Sequence, residues 1–188
     1  QRQMCIRDSS CIECNRKYEC TGENAAFCNH MKNILVAKYG AAEGCLKESR
    51  IRHSIGVANF LFAYAKSHDW SKEETEDLYL TGLLHDIGYI DNPKGTDHGR
   101  LGAEILKRNG LNVEICELIS CHGRFIENPS RKQALLWLAD LCVNRDGDYI
   151  GYQKRYESIK ERYKNDPERL FQVYRILEYL QIHFSEYR

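Results

Sequence analysis

Four histidines and two aspartates have the residue types and the positions of a metal site. One histidine and one aspartate are adjacent in LLHDIGYI (83–90), where they follow an apolar run. Burying such a pair is costly unless something pairs with both groups, and imidazole and carboxylate are ligands of divalent metal ions. The sequence therefore offers six candidate ligands, which are His53, His85, Asp86, His98, His122 and Asp140.

The number of these ligands predicts two metal ions rather than one. A catalytic ion that must keep an open position has no room for six protein donors. Two ions about 3.5 to 4 Å apart can share them, with one carboxylate as a bridge and space for a bridging water. Nitrogen and oxygen donors without a thiolate favour Fe or Mn, with Zn or Mg as alternatives.

The elements that must position these residues are helices. Apolar residues recur at helical spacing from about Met31 almost to the end of the chain, and no run alternates long enough for a strand. Caps and stops mark the ends of the segments, among them the capping box of Ser71 and Glu74, the N-cap Asp97 and the stop at Gly88. We predict an all-α bundle of six to seven helices, drawn from segments at about 32–38, 49–67, 71–87, 98–109, 112–122, 131–144, 150–164 and 168–185.

The order of the helices brings the candidate ligands to one end of this bundle. Short connections make successive helices antiparallel neighbours, so His53 and His98 at helix starts share a pole with His85 and His122 at helix ends. Asp140 lies about nine residues into its helix, a rise of roughly 14 Å that the long loop GRFIENP before it can offset. We expect Asp140 to be buried within LLWLADL, where no Lys or Arg lies within one turn and a metal is its natural partner.

Ordinary roles are the alternative for any one histidine. A lone histidine at a helix end is usually a cap or a solvated residue, and this holds for His53 or His122 considered singly. His30, His68 and His183 are assigned such roles. Only the joint convergence favours metal binding.

Composition and charge limit the possible partners. The 188 residues contain 27 Lys plus Arg and 27 Asp plus Glu, so the overall charge provides no attraction to nucleic acid or to membranes. No apolar run approaches the roughly 20 residues of a membrane span. Nine cysteines, an odd number with several inside apolar helical segments, favour a reduced setting. We expect a cytoplasmic protein with no nucleic-acid partner and no membrane partner, and a homodimer is left open.

The chain divides into three parts. Residues 1–9, which include MCIRDS, look like the translation of a sequencing adapter and are set aside. Residues 10–30 form a polar, Cys-rich appendage, for which a small zinc site is an open alternative. Residues 31–188 form the helical domain with a C-terminal helical extension.

The spaced motifs resemble those of a known family. The series His53, His85-Asp86 and Asp140 resembles the HD superfamily of metal-dependent phosphohydrolases, and HDIG at 85–88 is the signature of its HDIG-type members. The segments HGRLG (98–102) and CHG (121–123) are similar to the further histidine motifs of dinuclear HD proteins, including diadenosine tetraphosphate hydrolases. The resemblance covers roughly residues 31–165 and implies an all-helical fold and a dinuclear centre.

The resemblance also implies hydrolysis of a phosphoester or phosphoanhydride bond in a small phosphorylated substrate, for which a nucleotide is the first expectation. Asp86 is then central to catalysis, and cations near the pole would hold the remaining phosphate. The candidates are Arg52, Lys94, Arg100, Arg124 and Arg145, of which Lys94 and Arg124 are preferred because they lie in loops. A solvated surface charge is the alternative for each, and Arg52 could pair with a neighbouring Glu.

Departures from the family pattern leave the substrate open. The chain lacks the Gly-Tyr-Pro segment of cyclic di-GMP phosphodiesterases, has Tyr89 where many relatives have Lys, and only loosely matches the diadenosine hydrolases at VNR (143–145). Two other functions are therefore kept. One is a mixed-valent diiron oxygenase of the HD type, and the other is a metal-bound regulatory or adaptor module without turnover.

Overall fold

The computed structural model describes residues 48–90, 95 and 97–188, and in these ranges the chain is built from helices without strands. The all-α prediction is confirmed. The appendage, the segment predicted at about 32–38 and Lys94 lie outside the described residues. The seven α-helices of the described part are α1 (Glu48–Ser67), α2 (Lys72–Leu84), α3 (His98–Arg108), α4 (Val113–Cys121), α5 (Arg131–Cys142), α6 (Tyr152–Arg162) and α7 (Pro167–His183), and two short 3-10 helices cover Ile87–Ile90 and Ser185–Tyr187.

Local hydrogen bonds explain where the helices begin. Ser71 and Glu74 form the predicted capping box, with the Glu74 amide donating to Ser71 Oγ at 3.2 Å and the Ser71 amide donating to Glu74 Oε2 at 3.1 Å. Asp97 precedes α3 but makes no side-chain cap hydrogen bond. Asp97 therefore occupies the predicted N-cap position, but its side chain accepts from Arg100 Nε at 2.6 Å and not from the first turn of the backbone.

Gly88 does not stop a helix, as the sequence had suggested. Helix α2 ends at Leu84, and Gly88 lies in the 3-10 helix that follows. A Cβ atom at Gly88 would lie 1.8 Å from the carbonyl oxygen of His98 and 2.6 Å from the amide nitrogen of Gly102. Gly88 is therefore required for close packing of the 3-10 helix against α3, where His98 begins.

Helix α5 lies at the centre of the fold. It packs against α1, α2, α4, α6 and α7, so apolar residues cover it on nearly all sides. Five consecutive residues of α5 are at most 1% exposed, namely Leu135, Leu136, Trp137, Leu138 and Ala139. This burial explains why the segment is continuously apolar rather than amphipathic.

A tight turn after α5 packs closely against the backbone of α1. Val143 and Tyr149 form an isolated antiparallel bridge, and Gly147 adopts a φ of +89° at the tip of the turn. A Cβ atom at Gly147 would lie 2.7 Å from the carbonyl oxygen of Arg52. The turn therefore approaches α1 closely beside His53.

Candidate metal centre

The structure brings the six predicted ligands together at one pole. His53 lies in the second turn of α1, His85 and Asp86 follow α2, and His98 is the first residue of α3. His122 caps the end of α4, and Asp140 lies near the end of α5. His85 is fully buried, and the other five line a cavity of about 150 Å³.

Asp140 departs from the sequence prediction in one respect. Its side chain is 27% exposed, whereas the side chain of Asp86 is only 6% exposed. The expected burial of Asp140 is therefore only partial, because the carboxylate opens onto the cavity. An open side toward the cavity is compatible with binding of a ligand.

The four histidines share one hydrogen-bonding arrangement. The Nδ1 atom of each ring contacts a backbone carbonyl oxygen, that of Asn144 for His53 (3.0 Å), Gly82 for His85 (2.7 Å), Gly95 for His98 (2.9 Å) and Ile119 for His122 (2.7 Å). A carbonyl oxygen can only accept, so Nδ1 carries the proton in each ring. In the neutral imidazole, the lone pair is then on Nε2, and backbone bonds of this kind fix the orientation of metal-binding histidines.

One group of donors forms around Asp140. The Nε2 atom of His53 lies 2.9 Å from Asp140 Oδ1, and the Nε2 atom of His85 lies 3.9 Å from the same oxygen. Donor atoms of His53, His85 and Asp140 all lie within 4.8 Å of one another. These three residues could hold one metal ion.

A second group forms around Asp86. The Nε2 atoms of His85, His98 and His122 lie 3.6, 3.5 and 3.6 Å from Asp86 Oδ1. Donor atoms of His85, Asp86 and His122 again lie within 4.8 Å of one another, so His85 belongs to both groups. The site thus has donors for two adjacent ions.

Two features of this centre indicate that it binds a cation. The Nε2 atom of His85 is buried without a hydrogen-bond partner in the described part of the chain. The Nε2 atoms of His98 and His122 lie 2.8 Å apart, although Nδ1 already carries the proton in both rings. Two lone pairs at this distance repel each other, whereas neighbouring ligands bound at about 2.1 Å to one ion stand about 3 Å apart. The donor set therefore fits a metal ion.

Metal ligands must be neutral imidazoles and ionised carboxylates, and the electrostatics of most of the site suit this requirement. His122 differs, because its contact with Asp86 outweighs burial and raises its pKa. Burial lowers the pKa of His85 to about 4, and burial together with the nearby His122 lowers the pKa of His98 to about 4. Burial opposes the charge of Asp86, but the neighbouring histidines and Arg50 outweigh it and hold its pKa well below the usual range. Burial likewise opposes ionisation of Asp140, yet its contact with His53 and its proximity to His85 lower its pKa.

Arg50 is a member of the centre that the sequence analysis did not select. Its Nη1 atom donates to Asp86 Oδ2 at 2.8 Å, and its guanidinium lies 3.2 Å from the centroid of the Tyr89 ring. Tyr89 in turn stacks on His98, with ring centroids 4.1 Å apart. Arg50 precedes His53 by three residues, a spacing that places both on one face of α1 and that could have indicated its position.

Comparison with known proteins identifies the family. The family model described as HD domain matches residues 50–175, which include all six candidate ligands. The chain belongs to the HD-domain family. No solved structure matches it significantly.

The curated relatives are similar over part of this HD domain. Ribonuclease Y from Mycoplasma mycoides subsp. mycoides is 34% identical over 113 residues, which are 59% of this chain and 20% of the relative. Ribonuclease Y from Fervidobacterium nodosum is 35% identical over 92 residues, 44% of this chain and 18% of the relative. An uncharacterized protein from Methanocaldococcus jannaschii is 31% identical over 77 residues, 40% of this chain and 45% of the relative. The chain thus spans about a fifth of the ribonuclease Y proteins it matches, and the resemblance to diadenosine tetraphosphate hydrolases stays a prediction.

The cations that the sequence singled out differ in their surroundings. Arg124 is exposed and lines the cavity of the HD domain, and its role in holding phosphate stays a prediction. Arg100 also lines the cavity, but it pairs with Asp97 at 2.6 Å and with Glu104. Arg52 pairs with Asp146 at 3.2 Å, and its suggested pairing with a neighbouring Glu stays a prediction. Arg145 is exposed and does not line the cavity.

Three further arginines line the cavity and were missed by the sequence analysis. They come from the last two helices, and they are Arg155 and Arg162 of α6 and Arg169 of α7. Their signal in the sequence was a cation at positions i and i+7 of α6, which share a helix face. That signal does not show that α6 faces the histidine pole, because the placement of α6 depends on tertiary packing.

Proposed function

We propose that this HD domain is a metal-dependent phosphohydrolase that cleaves a phosphoester or phosphoanhydride bond of a small phosphorylated compound, a nucleotide first among them. The observation that carries the proposal is the convergence of four proton-free Nε2 atoms and two ionised carboxylates at an arginine-lined cavity. Family membership supports the reaction class.

The chain's own residues would divide the work in the following way. His53, His85 and Asp140 would hold one divalent ion, and His85, Asp86, His98 and His122 would hold the second. When bound, two such ions supply a water of lowered pKa and neutralise charge on phosphate oxygens. Arg50 holds Asp86 in place through its contact with Oδ2, which leaves Oδ1 directed at the histidines.

Arg124 would orient the substrate at the mouth of the cavity. Its side chain is exposed and lines the cavity, and the residue directly follows the CHG segment that contains His122. Arg124 can therefore contact a phosphate group that lies beside the metal ligands. A guanidinium group can donate two parallel hydrogen bonds to phosphate oxygens. Lys94 keeps the same proposed role from the sequence analysis.

A small substrate is favoured over a long nucleic acid by two observations. The cavity has a volume of about 150 Å³, and the overall charge balance provides no general attraction to a phosphate backbone. The relatives named ribonuclease Y make RNA the main competing substrate, and hydrolysis of an RNA phosphodiester belongs to the same reaction class.

The test begins with protein purified without oxygen. Bound metals are quantified, and phosphate release is measured from nucleotides, sugar phosphates and a short RNA, with added Mn²⁺ or Fe²⁺. Metal-dependent turnover of a small phosphate compound without oxygen supports the proposal. Turnover of RNA alone contradicts the small-substrate part, and oxygen-dependent consumption of an organic substrate without phosphate release favours the oxygenase. Metal-loaded protein that is inactive in every assay would favour a regulatory module.

A further inference from the structure

Helix α6 contributes a row of side chains to the cavity that the proposed metal chemistry does not use. Arg155, Ile159 and Arg162 all line the cavity, at positions i, i+4 and i+7 of one helix. Residues at this spacing lie on one face of a helix. The α6 face toward the cavity therefore presents two cations with an apolar residue between them.

Arg155 is buried in a way that requires explanation. The residue is only 6% exposed, and its Nε atom has no hydrogen-bond partner among the described residues. Among the described residues, no ion pair joins Arg155 or Arg162 to a carboxylate, and the Arg162 guanidinium instead lies 5.7 Å from the centroid of the Tyr163 ring. A buried cation without a paired anion is destabilising, and proteins keep such groups mainly at functional sites.

The neighbouring charges strengthen this argument. Burial lowers the pKa of Arg155, and the positive charges of Arg162 and Arg145 add to the effect against the attraction of Asp140 and Asp86. The pKa of Arg145, which is exposed and lies outside the cavity lining, is also lowered, by partial desolvation and then by the charges of Arg162 and Arg50. Cations that repel one another beside a cavity form a position that a polyanion would stabilise.

We propose that Arg155 and Arg162 bind a second anionic group of the substrate, next to the phosphate that lies at the metal ions. The substrate then carries two neighbouring phosphate groups, as in a phosphoanhydride or a bisphosphate, and is not a simple phosphomonoester. This inference rests on the proposed hydrolase function and makes its substrate class more specific.

The test compares two ligands that differ by one phosphonate group and cannot be hydrolysed. Methylenediphosphonate and methylphosphonate are titrated calorimetrically into the metal-loaded protein, and the metal content is measured again afterwards. Variants R155Q and R162Q should each weaken methylenediphosphonate binding about tenfold or more, because a hydrogen-bonded charge is lost. Binding of methylphosphonate should change less than about twofold, since that ligand needs only the metal ions.

A matched control lies on the same helix. Lys154 is exposed and does not line the cavity, so K154Q removes the same charge and should leave both affinities unchanged. The unfolding midpoint of R155Q without ligand should not fall below that of the unchanged protein, because the variant removes an unpaired buried cation. If R155Q does not fold, R162Q decides the matter, since Arg162 is only half-buried.

Three results would overturn the inference. They are an equal loss of both phosphonates, a loss of neither with an unchanged unfolding midpoint, and a loss of neither with a lower unfolding midpoint of R155Q, which would make Arg155 purely structural. Any of them leaves the proposed hydrolysis intact if phosphate release persists. Selective loss of the diphosphonate in a protein without any phosphate release would support this anion site and contradict the proposed hydrolysis.

Discussion

The backbone hydrogen bonds of the four histidines determine what their side chains can do. Each Nδ1 atom donates to a carbonyl oxygen, so each Nε2 atom faces the centre of the site without a proton. Asp86 is the carboxylate with the most contacts, because its Oδ1 faces three Nε2 atoms and its Oδ2 accepts from Arg50. Two predictions follow from these contacts at the scale of single residues.

Replacement of Asp86 by alanine should remove metal binding and activity together. The variant leaves the Nε2 atoms of His85, His98 and His122 without the carboxylate they surround, so the affinity for metal should fall by more than about 100-fold. Elemental analysis and phosphate release measure the two effects. Stoichiometric metal in purified D86A would contradict the ligand assignment.

Arg50 should act on metal affinity through Asp86. In R50Q, the carboxylate loses its charged partner on Oδ2, and groups that orient a ligand typically contribute about 10- to 100-fold to metal affinity. Competition with a fluorescent chelator measures this loss. The control is R52Q on the same helix, whose side chain pairs with the exposed Asp146 and should change the affinity less than about twofold.

At the scale of elements, the approach of the 3-10 helix to α3 determines where His98 lies. Gly88 allows the close contact with the backbone of His98 and Gly102, and this backbone cannot move without moving the start of α3. A glycine read from the sequence as a helix stop therefore has a packing role instead.

Replacement of Gly88 by alanine should lower both stability and metal affinity. The new Cβ atom would lie 1.8 Å from the carbonyl oxygen of His98, and such overpacking should lower the free energy of unfolding by about 3 kcal/mol. Urea denaturation measures this loss. For G123A, whose Cβ atom would meet only His98 Cε1 at 3.7 Å, the change should stay within about 0.5 kcal/mol. Equal stability of the two variants would show that the contact at Gly88 relaxes easily.

At the scale of the whole molecule, the candidate ligands join elements that are distant along the chain. They come from α1, the segment after α2, the start of α3, the end of α4 and α5. Two ions bound between these elements would stabilise the folded state relative to the unfolded chain. None of the described helices is long and apolar enough to cross a membrane, and the cytoplasmic location and the homodimer stay predictions.

Metal removal should therefore lower the thermal unfolding midpoint of the protein. At a free metal concentration 1,000 times the dissociation constant, binding adds about 4 kcal/mol to the free energy of unfolding. Scanning calorimetry before and after dialysis against a chelator measures the loss, and added metal should restore the midpoint. D86A serves as the control, because its midpoint should not respond to the chelator. A chelator-insensitive midpoint in the unchanged protein would contradict metal binding at this centre.

The amino-acid sequence alone determined the helical class, most helix boundaries and the six residues that meet at one pole. These features depend on local periodicity, on capping such as that of Ser71, and on the order of short antiparallel connections. The tertiary structure alone decided how the donors divide into two groups, why Gly88 is a glycine and which arginines face the cavity. Arg50 and Arg155 illustrate the reason, because the contact of Arg50 with Asp86 joins residues 36 positions apart and α6 reaches the cavity through its packing against α5 and α7.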